Sequence, residues 1–323
     1  MDTRAQVLTL LKKDSEKWVS GEMLSRRIGI TRTAVWKNIG KLREDGYRIK
    51  SAPRRGYRFL ATSEMLLPEV IGEALHTKVF GHRGIIHFRE TDSTNARAKD
   101  LAARGAPEGR LIVAERQTGG RGRKGRTWFS PPDGGIYASL ILRPVMPPSQ
   151  VPRLTFVTAI AAAEALLHLT KLDVKIKWPN DILVNGKKLA GILTEITTDM
   201  DAVNYAVVGL GMNVNITNFP DDIRDRATSL LMETGVRFSR AAIVREYLTR
   251  LETYYHRLEI SGFEPILKRW KELAQIIGQR VQVEMIDTIH VGQVEDIDPE
   301  GILILKTEEG DSCRILSGDV TFV

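Results

Sequence analysis

Residues 174–196 read VKIKWPNDILVNGKKLAGILTEI. This is three short strand-like runs, 174–178, 182–185 and 189–196. The last two are joined by Asn185-Gly186, a pair that favours the type I′ turn of a tight hairpin. Outward from it, a strand is expected at 84–90, a helix over 94–104 closed by Gly105, and strands near 111–115 and 136–142. A long apolar helix follows at 153–170, then a strand at 204–210 and helices at 240–260 and 263–274. The tail from Val281 holds only short alternating stretches, and 61–80 reads as a linker helix. Hairpins interleaved with helices argue for an α+β body built on a mixed, largely antiparallel sheet, with a small β-barrel at the end. At 323 residues the chain is long enough for two or three domains. The natural cuts give 1–62, 63–275 and 276–323.

Apolar residues make up 42% and charged residues 27%, the balance of a globular protein rather than a disordered one. No run approaches the roughly 18 apolar residues that cross a bilayer. The single cysteine, Cys313, excludes an internal disulfide framework and fits a reducing cytoplasm. The six histidines show no ligand spacing. The net charge of +7 is unevenly placed: residues 1–60 carry 15 Lys+Arg against 6 Asp+Glu, so the remainder is close to neutral. A small basic module on a neutral body points to a polyanion as the module's partner.

That module reads as two short helices. Ser20 caps a helix with Met23, Leu24 and Ile28 on one face, and Gly29 ends it. Thr31 caps a second, with Val35, Ile39 and Leu42 at i, i+4, i+7. Two helices joined by a tight Gly turn form the helix-turn-helix pattern. Gly21 follows the first cap, and Thr31, Arg32, Thr33, Lys37 and Asn38 face outward from the second helix, where such side chains read bases and phosphates. After Gly46 the stretch YRIKSAPRRGYRF resembles a β-hairpin wing with Arg54 and Arg55 at its tip. DNA is the expected partner. A membrane role is not, because the few apolar residues are needed for the module's own core.

The loop Gln117-Thr-Gly-Gly-Arg-Gly-Arg-Lys-Gly-Arg126 contains two false matches. Gly120, Gly122 and Gly125 satisfy GxGxxG, and 120–127 nearly satisfies a P-loop. Both need a helix to follow and hold the phosphates, whereas Trp-Phe-Ser-Pro-Pro-Asp-Gly-Gly cannot start one. The composition still has meaning: glycines allow close approach, and Arg121, Arg123, Lys124 and Arg126 supply fixed charge. A small polyanion, an RNA contact or a solvated turn all remain open on spacing alone. Three further segments bear on this. Lys177-Trp-Pro-Asn180-Asp181, Lys187-Lys188-Leu-Ala-Gly191 and Gly209-Leu-Gly211-Met-Asn213 could bring two cations, a carboxylate and several amides to one end of a sheet. That set suits a nucleotide triphosphate with Mg²⁺.

Together with Thr91-Asp-Ser-Thr-Asn95 and Thr127-Trp-Phe-Ser-Pro131, these segments resemble, in order, the motifs of biotin–protein ligases that carry an N-terminal winged helix and double as biotin operon repressors. The resemblance implies a class II synthetase-like catalytic domain and an SH3-like C-terminal barrel. It also implies adenylation of biotin by Mg·ATP, then transfer to a lysine of a biotin carboxyl carrier domain. By that resemblance Ser93, Thr94, Asn95 and Gln117 line the biotin ureido site. Arg121, Gly122 and Arg123 close over the carboxylate and α-phosphate. Lys188 bridges the two and is, with Arg123 and Asp181, the expected catalytic group. Asn180, Asp181, Asn213 and Trp128 hold the nucleotide, and Asp181 is the expected Mg²⁺ ligand. Trp128 has two readings, an adenine platform or a packed core aromatic. Either Asp181 or Lys188 would help deprotonate the incoming amine. The resemblance further implies a homodimer with biotinyl-AMP bound, matched to a two-fold operator. A DNA-binding biotin sensor without catalysis and a lipoate-type ligase are the competing expectations.

Overall fold

The computed structural model describes residues 2–15, 17–199, 202–285 and 288–323, and the chain divides into two compact units, Met1–Val70 and Ile71–Val323.

In the first unit α1 (Thr3–Lys13), α2 (Gly21–Ile28) and α3 (Arg32–Glu44) pack around Val7, Leu11, Leu24, Val35, Ile39 and Leu42, all buried. The capping expected from sequence is present. Ser20 Oγ accepts from Met23 N at 3.1 Å and Thr31 Oγ1 from Ala34 N at 3.1 Å. Gly29 is left-handed at φ 78°, which ends α2 at little steric cost. β1 (Arg48–Ala52) and β2 (Gly56–Ala61) pair antiparallel as the wing. The linker helix expected over 61–80 shrinks to α4 (Pro68–Gly72). Proline sets its first turn and glycine its last residue, so five residues is all that the local chemistry supports.

The second unit is built on one seven-stranded sheet. Its strands are β3 (Ile85–Thr91), β4 (Leu111–Gln117), β5 (Gly135–Leu142), β6 (Val174–Lys177), β7 (Asp181–Val184), β8 (Lys187–Asp199) and β9 (Ala202–Asn213). The spatial order is β3-β4-β5-β9-β8-β7-β6, parallel only between β3 and β4. Asn185 and Gly186 both have positive φ, 50° and 75°, as the type I′ turn requires. Strand alternation then sorts the two faces. Val207, Gly209 and Gly211 share one face, where α5 (Thr94–Ala103) packs Ala98 and Ala102 against Ile112, Ile141 and Val207. Thr194 points to the other face and meets Thr155 of α6 (Pro152–Leu169) at 2.8 Å. The stretch Pro148–Leu169 is, against expectation, long and apolar enough to cross a membrane, but two thirds of its most apolar part is buried inside the unit. It packs against α8 (Arg240–Ser261) and α9 (Glu264–Ala274); the short α7 (Leu230–Thr234) precedes them.

The tail forms β10 (Arg280–Glu284), β11 (Ile289–Ile297), β12 (Leu303–Thr307), β13 (Ser312–Ile315) and β14 (Asp319–Phe322). They make one antiparallel sheet in the order β13-β12-β11-β10-β14.

One buried carboxylate anchors the turn ahead of β3. Glu252 of α8 accepts the backbone N–H groups of Lys78, Val79 and Phe80 at 2.6, 2.7 and 2.9 Å. Removing it strands three donors. Glu252→Ala is therefore expected to destabilise the unit by about 2–4 kcal/mol, a Tm loss of roughly 5–10 °C by calorimetry. A change under 2 °C would show that the turn reorganises freely.

Candidate functional site

One cleft of about 700 Å³ opens at the end of the large sheet. Its floor is bare backbone. Gly191 and Gly211 are cross-strand partners on β8 and β9, and the Trp128 ring lies on both. A Cβ on Gly211 would sit 2.4 Å from the ring, and one on Gly191 3.0 Å from it. Two positions along β9, a Cβ on Gly209 would fall 2.1 Å from Asn95 Oδ1. The glycines of 209–213 make room for two side chains that arrive from elsewhere.

At the deep end stand uncharged polar groups. Ser93 caps α5, and Thr94 donates through N and Oγ1 to Gln117 Oε1 at 2.8 and 3.1 Å. Gln117 Nε2 donates to Ser130 Oγ at 2.9 Å. Ser139 Oγ lies 2.8 Å from Thr94 Oγ1 and 2.6 Å from Asn95 Oδ1. Asn95 also donates to Glu195 Oε2 at 2.9 Å and to Leu193 O at 3.2 Å. Asn95 is thus buried with every polar atom engaged inside the protein; it frames the cleft wall and keeps the Thr94–Ser139 pair in place.

Over the mouth runs the cationic loop. It folds back on itself through Gly122 N to Arg126 O at 2.7 Å and Trp128 N to Gly120 O at 2.9 Å, and no helix follows it before β5. Its cations separate by role. Arg121 is exposed. Arg123 is half-buried and donates to Asn180 Oδ1 at 3.2 Å. Burial pushes its guanidinium below the usual range, against the pull of Asp319 and Asp181. Lys124 and Arg126 reach the tail, where Asp319 Oδ2 takes them at 3.3 and 2.7 Å. Three other cations of the C-terminal segment do not line the cleft. Arg280, Lys306 and Arg314 pair instead with Glu308, Glu295 and the Asp298–Glu300 pair within their own sheet.

On the opposite wall Lys188 Nζ lies 2.7 Å from Asp181 Oδ1, an ion pair off hydrogen-bonding geometry, and 5.4 Å from the Trp128 ring centroid. The backbone of Lys188 is clamped by Arg226 O at 2.7 Å and Thr228 N at 3.0 Å. Asn180 Nδ2 is spent on Ile192 O at 2.6 Å, and Asn213 Nδ2 on Thr228 O at 3.0 Å. The Trp128 indole N–H is buried without an acceptor among the described residues. Every residue expected at the biotin and nucleotide sites lines this one cleft.

Two further residues line it that the expected biotin and nucleotide sets did not include. Lys177 faces Asp181 across the β6–β7 hairpin and, among the described residues, has no hydrogen bond or ion pair. Burial lowers its ammonium below the ordinary lysine value, with Lys188 and Arg126 adding to the effect and Asp181 and Asp319 opposing it. Its signal was available, since it stands in the quoted Lys177-Trp-Pro-Asn180-Asp181 segment and alternates with the apolar Val174 and Ile176. Asp319 had none, being far from every motif.

Residues 87–213 match the Biotin/lipoate A/B protein ligase family, residues 3–58 an HTH domain, and residues 276–323 the Biotin protein ligase C terminal domain. The chain is 38% identical over 319 residues to the bifunctional ligase/repressor BirA of Bacillus subtilis, covering 98% of each. It belongs to the biotin/lipoate protein ligase family. Another member, the biotin–[acetyl-CoA-carboxylase] ligase of Paracoccus denitrificans, is 36% identical over 231 residues, 68% of this chain and 93% of that one. Among solved structures, the biotin protein ligase of Aquifex aeolicus in complex with biotin and ATP superposes with a TM-score of 0.65. It is 30% identical and covers 74% of this chain and 98% of its own. In this member of the family most of the cleft is lined by the segment that matches the ligase family, residues 219–227 close one side, and Glu284 and Asp319 add carboxylates from the C-terminal segment.

Two outcomes are expected. Lys177→Met removes a half-buried unpaired charge, so the ligand-free protein should melt higher, on the order of 2 °C, while binding polyphosphate more weakly; a lower Tm would sink this account. Asp319 behaves oppositely. Burial alone would raise its carboxyl, but the Lys124 hydrogen bond and the charges of Arg126, Lys124 and Arg123 outweigh it and hold it below the ordinary 3.8. A depressed acid stabilises above its unfolded value and loses that contribution as pH falls through the lower folded one. The Tm gap between the parent and Asp319→Asn should thus be flat above pH 5 and close below about 3.8; a gap that widens on acidification would contradict it.

Proposed function

We propose that this protein activates biotin with Mg·ATP, transfers it to a lysine of a biotin carboxyl carrier domain, and represses the biotin operon with the adenylate as corepressor. The observation that carries the reading is the Lys188–Asp181 pair facing a cationic loop, in a chain 38% identical to a named ligase/repressor.

In the first step a biotin carboxylate oxygen attacks the α-phosphorus of ATP. The bond to the bridging oxygen breaks and pyrophosphate leaves with the electron pair. Two anions must be brought together, so the requirement is positioned positive charge rather than a protein nucleophile. Lys188 sits where it can bridge the carboxylate and the α-phosphate, and Arg123, released from Asn180, adds a second donor. Arg121 and Gly122 complete the cover that keeps water from the anhydride. Lys177 is placed to meet the leaving phosphates.

The uncharged end formed by Ser93, Thr94 and Gln117 offers the donors and acceptors that a neutral ureido ring needs, with Asn95 fixing its wall. Trp128 supplies a flat apolar face and an unsatisfied N–H to the nucleotide, beside Asn180 and Asn213. For Mg²⁺ the fit is a single carboxylate. Asp181 Oδ1 is buried and off hydrogen-bonding geometry. Among the described residues no cluster of three His, Cys, Asp or Glu forms a cage. That is the donor set for an ion that arrives on ATP and keeps its phosphate oxygens and waters. In the second step the carrier lysine attacks the anhydride carbonyl, AMP departs with the electron pair of the broken bond, and the amine proton passes to the Asp181 carboxylate, which Lys188 holds in place.

The three-part organisation, 1–62, 63–275 and 276–323, fits this division of labour. The repressor half rests on the N-terminal unit. Its exposed Arg32, Thr33, Lys37, Arg54 and Arg55 would meet operator DNA, with Ser20, Gly21 and Thr31 at the helix starts near the phosphates. A homodimer with adenylate bound would match a two-fold operator. The protein would act in the cytoplasm, away from membranes.

The test is pyrophosphate release with ATP, Mg²⁺ and biotin, run in parallel with lipoate. A burst of about one equivalent with biotin alone is expected, and activity with lipoate alone would overturn the substrate. Lys188→Ala should abolish the burst while the protein keeps its Tm. A chain beginning at Ile71 should keep the burst and lose steep salt-dependent DNA binding; persistence of that binding would remove the N-terminal unit from the DNA contact.

A further inference from the structure

The third helix of the N-terminal unit, α3, carries two features that nothing inside the unit explains. Trp36 is 64% exposed in the middle of α3. One turn on, at i+4, stands Gly40, whose added Cβ would meet nothing within 4 Å. A glycine inside a helix weakens it relative to alanine, and here no neighbour within the protein requires the missing side chain. A large apolar side chain next to a needless hollow is a surface shaped for something outside the unit.

The charges around them say what that is. Arg32 is one turn before Trp36 at i−4, Thr33 is at i−3, and Lys37 follows it. Arg32, Lys37, Lys41, Arg27 and the wing residue Arg54 are exposed and, among the described residues, have no ion-pair partner. The amide expected to read bases is committed elsewhere: Asn38 is half-buried and donates its Nδ2–H to Ala34 O at 2.9 Å, within its own helix. With one Asn38 N–H tied to its own helix and the residue half-buried, Trp36 is the large exposed side chain among the cations.

We propose that Trp36 reads operator DNA by packing its indole on a thymine C5-methyl group in the major groove, and that Gly40 supplies the clearance for the duplex to come that close. The inference rests on the repressor reading and assigns to it a residue and a base. Thymine is the base whose major-groove edge carries an apolar group, and an apolar side chain recognises it by contact rather than by hydrogen bonding. The contact is uncharged, so it adds to sequence preference and leaves the counterion release of Arg32 and Lys37 untouched.

The experiment uses the full chain with biotin and Mg·ATP, and a duplex that the parent protein enriches from a random pool. Binding to that duplex and to a random-sequence duplex is measured across salt for the parent, Trp36→Ala, Trp36→Phe and Gly40→Ala. Trp36→Ala is expected to lose about ten-fold or more on the enriched duplex and little on the random one, with the same salt slope. Trp36→Phe should recover part of the loss. Replacing single thymines with deoxyuridine should reveal a position in each half-site where losing the methyl weakens the parent but not Trp36→Ala. Gly40→Ala should melt higher than the parent and bind the enriched duplex less tightly, opposite signs that a merely structural role does not give.

Equal losses on both duplexes, or no thymine whose methyl couples to residue 36, would overturn the proposal. So would unchanged operator binding by Trp36→Ala alongside weakened self-association, which would assign the tryptophan to a protein contact. A parent protein that enriches no sequence from the pool would instead remove the repressor reading on which the proposal stands.

Discussion

The cleft depends on an absence of side chains. Gly191, Gly209 and Gly211 lie on adjoining antiparallel strands, two of them directly opposite each other, so a patch of sheet becomes exposed backbone. Onto that patch comes Trp128 from the cationic loop, and against it stands Asn95 from the start of α5. Any β-carbon at Gly209 or Gly211 would collide with one of them. The missing side chains let Trp128 and Asn95 seat against the sheet, and so fix how the Trp128 ring stands beside Lys188.

Around that floor the electrostatics are asymmetric. Cations predominate at the mouth, and their partners are few. Asn180 takes Arg123, Asp181 takes Lys188, and Asp319 takes Lys124 and Arg126. Lys177 is left with no partner among the described residues. Such a site is held in a charged state that its own protein does not fully neutralise, which costs stability and favours a polyanionic ligand. The depressed carboxyl of Asp319 is the other half of this balance. A strand at the end of the chain holds two of the loop's four cations, and so sets where the loop rests.

The N-terminal unit shows the same logic on a surface. The caps of α2 and α3, the turn between them and the core are accounted for internally, while Arg32, Lys37 and Trp36 are left facing outward. Structural requirements are met on one side of α3 and left unmet on the other. The difference between the two sides is what supports the proposed recognition role of α3.

Much of this was legible in the sequence because the rules involved act over a few residues. Ser20, Thr31 and Gly29 cap and end helices by contacts three to five positions away. Asn185-Gly186 fixes a hairpin by its own dihedral preferences. The alternation of β6 follows from apolar spacing, and the set of residue types expected to bind ligand was recognisable as ordered motifs. What only the tertiary structure decided depends on distant partners. That Asn38 bonds its own helix while Trp36 stands free is a matter of which side chain finds a nearer acceptor. That Asp319, rather than Arg280 or Arg314, enters the cleft follows from the pairing of β14 with β10. That Gly191 faces Gly211 follows from strand register, in which a shift of one residue would turn both to the other face. Sequence thus determined the elements and their chemistry, because local backbone and side-chain preferences are written residue by residue. Folding decided which groups meet, because register and long-range packing bring together residues whose neighbours in the chain carry no sign of it.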